Sequence, residues 1–439
     1  MMNAKNAAEE IFRAAVDSVK PDKIVRRWMS LSQGRFRIGD ESYDLNEVRK
    51  LRVIGFGKAS ANMAEAVEEI LGDRISGGLV ITKYGHGSTL KFIEVAEAGH
   101  PVPDENGFAA TRKILDLAKD ADERDLVICL ISGGGSALLA DYPPGSSPQD
   151  LKVLNDLLLK SGADIQEMNA VRKHLSMVKG GQLARALYPA RIVSLILSDV
   201  IGDPLDVIAS GPTAPDPSTF AEAHGVLVKY GLDGKIPRAL RETIEAGLRG
   251  AIPETLKPGD PVRGRITNLI IGSNRIALEA AAAKSETLGF HPRIMSSDLR
   301  GDSAQTARGL VELAVREQAE ASSKKPLSLL FGGETTIRVS GGGLGGRNQH
   351  LALVAATALT NTRGITLLAA GTDGNDGPTD AAGAVVDSET CARAEALGLS
   401  PESYLATFDS YHFFEKTDGH VITGPTMTNV MDLIIILIE

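Results

Sequence analysis

Cysteine is nearly absent from this chain: only Cys129 and Cys391 occur in 439 residues. That excludes a disulfide framework and a cysteine-built zinc centre, and it suits a reducing compartment, so a cytoplasmic location is expected. A basic excess is missing too. Lys and Arg total 47 against 56 Asp and Glu, a net charge of −9, whereas a nucleic-acid partner calls for the opposite balance. No run approaches the roughly 18 apolar residues of a membrane span. The opening residues, acidic and helix-periodic, lack the apolar core of an export signal. Neither nucleic acid nor membrane is therefore expected as a partner. No fixed-period repeat is present, which excludes a solenoid. The eight histidines form no HExxH pair, and His350, His412 and His420 read as structural groups. Ser132 and Ser136 lack the G-x-S-x-G context of an α/β-hydrolase nucleophile.

Glycine, by contrast, is abundant. There are 46 in 439 residues, about a tenth against a usual ~7%. Many follow directly on apolar, β-branched runs. Leu51–Gly55, Gly78–Thr82, Leu126–Ser132 and Ile192–Leu197 read as strands in the first half. Thr267–Ile271, Leu327–Phe331, Thr335–Val339, Ile365–Ala369, Val385–Asp387 and Leu433–Ile438 read as strands in the second. Helical runs follow, among them Asn62–Leu71, Asn274–Leu288 and Leu351–Leu359. Uninterrupted apolar strands alternating with helices indicate an α/β protein with largely parallel, helix-covered sheets. Gly247 to Arg265 is rich in Gly and Pro and has no periodicity, as expected of a surface connection. Two α/β domains follow, 1–246 and 266–439, with a cleft expected between them. The domain that receives the closing strand is left open. Ligands of open α/β sheets sit beyond the carboxyl ends of the strands, where the glycine clusters fall.

Five such junctions carry the chemistry. Gly55-Phe56-Gly57-Lys58-Ala59-Ser60 turns sharply after a strand and sets Lys58 near a helix start, where free N–H groups suit phosphate. It is not a Walker A loop, because Arg52 and Ala59 stand at required Gly and hydroxyl positions. Ser132-Gly133-Gly134-Gly135-Ser136 has the composition of an N–H nest for an anion. Asp199 follows the fourth strand and reads either as a helix cap or as a holder of a metal or hydroxyl. Glu334 precedes Gly341–Gly346, whose spacing fits the dinucleotide fingerprint, yet the ribose-binding acid about 20 residues on is missing. There Gly345 and Gly346 lead into Arg347 and Asn348, and the planar arginine fork suits phosphate or carboxylate. Asp373 ends another strand. Its loop fails the EF-hand spacing, but magnesium takes one or two carboxylates plus substrate phosphates. Cations Lys58 and Arg347, two glycine nests, and acids Asp199, Glu334 and Asp373 are the parts that phosphoryl transfer needs.

These stretches resemble the class II glycerate 2-kinases, the family with a C-terminal MOFRL domain. The resemblance rests on GFGKAS (Gly55–Ser60), AGHPVPDENG (Ala98–Gly107), LISGGGSALL (Leu130–Leu139), NAVRKHLS with KGGQLA (Asn169–Ala184) and SDVIGDPLDVIASGPT (Ser198–Thr213). It continues in GGETT (Gly332–Thr336), GGLGGRNQ (Gly342–Gln349), GTDGNDGPTDAAGA (Gly371–Ala384) and TGPTMTNVMDL (Thr423–Leu433). The resemblance implies an N-terminal Rossmann-like kinase domain, a C-terminal MOFRL domain and an interdomain active site. It also implies ATP- and Mg2+-dependent phosphorylation of D-glycerate to 2-phosphoglycerate. The family's conserved lysine and arginine fall on Lys58 and Arg347. Catalytic roles are expected for these two with Asp199 and Asp373, the same two acids being candidate metal ligands. Gly57, Ser132 through Ser136, Glu334, Gly345, Gly346 and Asn348 are expected to bind substrate. The chain departs from the family at His350 (an acid is usual), Met427 (glycine) and Met431 (asparagine). Family members also bear the label hydroxypyruvate reductase, which makes an NAD(P)H-dependent reductase the rival reading. A homo-oligomer is left open.

Overall fold

The computed structural model describes residues 3–320 and 326–439. The chain forms two compact units. One comprises Ile24–Ser198 and Asp203–Ile271; the other comprises the residues up to Lys23, Asp199–Gly202 and Gly272–Glu439. They are called here the Lys58 unit and the Arg347 unit.

The Lys58 unit begins with an antiparallel meander of β1 (Met29–Ser32), β2 (Arg35–Ile38) and β3 (Glu41–Asp44). Its main sheet contains β4 (Leu51–Phe56), β5 (Gly77–Lys83), β6 (Glu94–Ala98), β7 (Leu126–Ile131), β8 (Arg191–Leu197) and β9 (Ile266–Gly272), in the order β6-β5-β4-β7-β8-β9. The β6-β5, β5-β4, β4-β7 and β7-β8 pairs are parallel. Every residue of β4 and β7 is buried, which is why these strands read as unbroken apolar runs. The Ser60–Leu71 helix lays Ala61, Met63, Ala64, Val67 and Leu71 into the core. Asp104 caps the Glu105–Ala118 helix by accepting from Gly107 N at 3.1 Å, which satisfies one of its orphan donors.

The Arg347 unit holds β10 (His291–Leu299), β11 (Leu327–Gly333), β12 (Ile365–Gly371), β13 (Gly383–Asp387), β14 (His420–Val421) and β15 (Asp432–Ile438), in the order β10-β11-β15-β12-β13-β14. Here the ladder is mixed. β10 and β11 are parallel, but β15 runs antiparallel to both β11 and β12. It returns from β14 by a loop rather than a crossover helix, so it enters reversed. All seven of its residues are buried. The closing strand thus lies at the centre of this sheet, flanked by the buried helix Arg347–Leu359 and its apolar cluster.

Three expectations change. The first helix, Ala4–Ser18, was placed with the N-terminal half. It packs in the Arg347 unit instead, against the Asn274–Thr287 helix and on β12, β13 and β15, because its apolar stripe of Ala8, Ile11, Phe12 and Ala15 meets that sheet. The strand starting at Ile266, expected in the second domain, completes the first sheet beside β8. Thr335–Val339 is not a strand. Past Gly333 (φ +140°) only an isolated bridge, Thr336 with Asp302, remains, since no neighbouring strand is there to satisfy a period-two run. Both cysteines are buried and unpaired. Among the described residues no helix is long and apolar enough to cross a membrane.

Candidate active site

In the Lys58 unit the candidate residues converge around one glycine. After β4 the chain turns at Gly57 (φ +126°), where a Cβ would stand 2.7 Å from the carbonyl carbon of Ser132. Only glycine lets the two loops touch there. Lys58 N donates to Gly133 O at 2.9 Å, and Ala59 N donates to Ser132 Oγ at 3.0 Å. Ser132 is therefore a buried brace between the loops. Gly134 is left-handed (φ +80°). A Cβ on it would come 2.8 Å from His100 Nε2 and 3.4 Å from Lys58 Cε. Among the described residues, the N–H groups of Gly133 and Gly134 donate to no protein acceptor. Ser136 Oγ lies 2.7 Å from Ser210 Oγ, and Gly135 gives room to Ala209, whose Cβ is 2.9 Å from where its own would be. Desolvation, and then the charges of Lys58, Lys83 and His86, pull the His100 imidazole below its usual range. A lysine, a histidine and two open N–H groups thus meet at Gly134, a composition that suits an anion.

In the Arg347 unit the guanidinium is the hub. Arg347 opens its helix and is gripped by Asp432, the first residue of β15: Nε to Oδ2 at 2.6 Å and Nη2 to Oδ1 at 2.8 Å. Glu334, just past β11, reaches Nη1 at 2.7 Å. Burial alone would lower the arginine, but the Asp432 bonds and the charges of Asp432, Glu334 and Asp376 outweigh it and hold the side chain firmly protonated. Glu334 is raised as well, which for a carboxyl disfavours the charged form. Partial desolvation raises its carboxyl, Arg347 opposes, and Asp432, Asp199 and Asp373 raise it further. Asp199 and Asp373 thus share the electrostatic neighbourhood of Glu334, which sets four acids against one guanidinium. At the end of β12, a Cβ on Gly371 would stand 3.2 Å from Asp373 Oδ1 and 3.4 Å from Asp432 Oδ1, so both carboxylates border the same space. Such an excess of negative charge is what a divalent cation relieves. Among the described residues no cluster of three or more His, Cys, Asp or Glu could hold a metal ion. A cation here would take one or two carboxylates and fill its shell with water or phosphate, the habit of magnesium.

The glycine-rich loop is filled by protein. Gly343 N donates to Thr407 O at 3.0 Å and Leu344 N to Asp409 Oδ1 at 2.9 Å. Gly345 lies against Ser410 and Gly346 against Asp376. The helix N–H groups of Asn348 and Gln349 donate to the Asp376 carboxylate at 3.1 and 2.8 Å, and the buried Asn348 side chain donates to it at 3.3 Å. Asp376 therefore occupies the place an anion would take at this helix start. Burial pushes its carboxyl up to about 6 in spite of those donors. His350 stacks on Phe408 with ring centroids 5.1 Å apart, and His412 bonds Asp409 at 2.6 Å. Sequence reasoning missed His100, Asp376 and Asp432. A lone acid heading an otherwise apolar strand was the available sign for the last.

Comparison with known proteins places the chain as a whole. Residues 7–245 match a family model described as a domain of unknown function, DUF4147, and residues 327–432 match the MOFRL family. A D-glycerate 2-kinase of Thermotoga maritima is 42% identical, across 99% of this chain and 98% of that protein. A glycerate 2-kinase of Pyrococcus horikoshii is 41% identical, across 100% of this chain and 98% of that one. The crystal structure of a glycerate kinase from Thermotoga maritima superposes with a TM-score of 0.89 at 41% identity, covering 99% of both chains. The chain belongs to the glycerate 2-kinase family whose members carry a MOFRL domain.

Proposed function

We propose that the protein is an ATP-dependent kinase that phosphorylates D-glycerate at its 2-hydroxyl, giving 2-phosphoglycerate, with magnesium as its metal. Whole-length likeness to proteins named glycerate 2-kinase supports the substrate. The observation that carries the chemistry is Lys58, with its stem over Gly134 beside two open N–H groups. The acceptor oxygen forms a bond to the terminal phosphorus as the bond to the departing ADP oxygen breaks, and the hydroxyl proton leaves to a base. Catalysis of such a step is mostly positioning and charge neutralisation. Lys58 and the N–H groups of Gly133 and Gly134 neutralise phosphoryl oxygens. Arg347, aimed by Asp432 and Glu334, stabilises the charge that builds on the moving group. Asp199 and Asp373 hold the metal or orient the hydroxyl. Bound magnesium supplies charge neutralisation on the nucleotide phosphates.

The rival reductase loses support in the glycine loop, because the N–H groups of Gly343, Leu344, Asn348 and Gln349 are given to Thr407, Asp409 and Asp376. A coupled ADP assay tests the proposal. Lys58→Ala and Arg347→Ala are each expected to lower turnover about 10²- to 10³-fold or more, and Arg347→Ala also to cost stability by leaving buried Asp432 without its partner, so activity is compared in the folded fraction. Unchanged turnover in both would remove the assignment of these two groups.

A further inference from the structure

The Lys58 unit contains a cavity of ≈ 260 Å³ with an apolar wall and one polar corner made by Ser136, Asp141, Asn155, Arg172, Ser176 and Lys179. The charges in that corner do not balance. Asp141 is its one carboxylate, and it is already committed, accepting from Ser176 Oγ at 2.6 Å and from Met177 N. Lys179 is buried and donates to the carbonyls of Ser136 and Leu139 at 2.7 and 3.0 Å. Arg172 donates from Nε to Asn155 Oδ1 at 2.9 Å. Among the described residues it has no carboxylate partner, and its Nη groups donate to no protein acceptor. Desolvation lowers it without any opposing charge. Desolvation likewise brings Lys179 down to about 8, against the pull of Asp141, and the nearby Arg172 charge pushes the same way. A half-buried guanidinium with an unused planar fork in a roomy pocket is costly alone and is satisfied by a carboxylate meeting it edge-on.

The corner adjoins the cluster at Gly134 directly. Ser136 lines the cavity one residue past Gly135, and Pro101, next to His100, lines it too. A short acid whose carboxylate met Arg172 would share this cavity with Ser136, the neighbour of Gly135.

We propose that this cavity is the acceptor subsite, with Arg172, held by Asn155, binding the carboxylate of a short-chain 2-hydroxy acid. The inference rests on the kinase reading and goes further than it. It assigns recognition of the acceptor's acid group to the Lys58 unit, and to an arginine that is not one of the phosphoryl-handling cations. The subsite predicts strong preference for glycerate over glycerol, which has the hydroxyls but no charge to offer the fork.

The test is steady-state kinetics on Arg172→Gln and Arg172→Lys, with D-glycerate, ATP and glycerol varied separately. Arg172→Gln is expected to raise the KM for D-glycerate about 100-fold, to leave the KM for ATP within twofold, and to narrow the preference for glycerate over glycerol by a similar factor. Arg172→Lys should fall in between, because it keeps charge and loses the fork. Should Arg172→Gln fail to fold, Asn155→Asp supplies an internal carboxylate against Arg172 and should raise the glycerate KM by competing for it. An unchanged glycerate KM in the folded variants, or a rise confined to ATP, overturns the subsite. Absence of glycerate phosphorylation by the unaltered protein would instead defeat the kinase reading. Titration calorimetry with D-glycerate on unaltered protein and Arg172→Gln then decides the subsite alone: equal heats, or none from either, overturn it.

Discussion

Arg347 and Asp432 meet fork to fork, with Nε to Oδ2 at 2.6 Å and Nη2 to Oδ1 at 2.8 Å. The pair ties the first residue of the closing strand to the first residue of the buried helix, and it leaves Nη1 to Glu334. A bidentate bond fixes the plane of the guanidinium as well as its place. Asp432→Asn keeps the volume and gives up one acceptor and the charge, so Arg347 is retained but no longer aimed. Turnover is expected to drop about 10- to 100-fold with the glycerate KM little changed. A large rise in KM without loss of kcat would contradict that positioning role.

Met427 and Met431 both adopt left-handed backbone, φ +63° and +71°. These are two of the three positions singled out by the resemblance described above, which implies glycine and asparagine there. Met427 is 39% exposed, so little packing is lost by trimming it. Met427→Gly is expected to stabilise the fold by about 0.5–1 kcal/mol, the left-handed strain relieved less the added chain entropy. Denaturant melts of the two proteins measure the difference.

Gly57 presents the opposite case. With φ +126° and the Ser132 carbonyl oxygen 2.5 Å from any Cβ, Gly57→Ala must push apart the two loops that carry Lys58 and the open N–H groups. The loss of stability should exceed about 1 kcal/mol, and activity should fall with it. A folded, fully active Gly57→Ala would show that the loops need not touch.

Asp376 makes the fold pH-sensitive in a defined window. Its carboxyl titrates near 6 when folded against an ordinary 3.8, so the protonated form is the one the folded state favours. Its contribution is fully present below about pH 4 and is lost as pH rises through 6, a change of about 2–3 kcal/mol. Asp376→Asn cannot titrate. The stability of the unaltered protein relative to Asp376→Asn should therefore decline by that order between pH 4 and 7, as thermal melts across the series would read. A constant difference would remove Asp376 as its source.

Much of the fold was legible because strands buried on both faces are unbroken apolar runs, whatever the direction of their neighbours: β4, β7, β8, β11, β12 and β15 were all found to within two residues at either end. The strands that escaped are short or half-exposed. β10 alternates along its length and opens on His-Pro-Arg, β6 carries two glutamates, and β1 to β3 form a meander of four-residue pieces. The wrong placement of the first helix has another cause, because an apolar stripe shows that a helix packs but not upon what. The glycine loop was legible as unusual and not as to purpose. Its glycines make room for Thr407, Asp409, Ser410 and Asp376, partners 30 to 66 residues away whose approach no local pattern encodes. A still longer separation, 85 residues, hid Asp432 from Arg347. Lys58 was visible because its loop, strand and helix are contiguous.

The central claim is transfer of a phosphoryl group from ATP to the 2-hydroxyl of D-glycerate, and phosphorus NMR of the product tests it most directly. The account predicts the resonance of 2-phosphoglycerate growing with ADP. A product phosphorylated at carbon 3, or ATP left intact while NADH is oxidised in the presence of hydroxypyruvate, would contradict it.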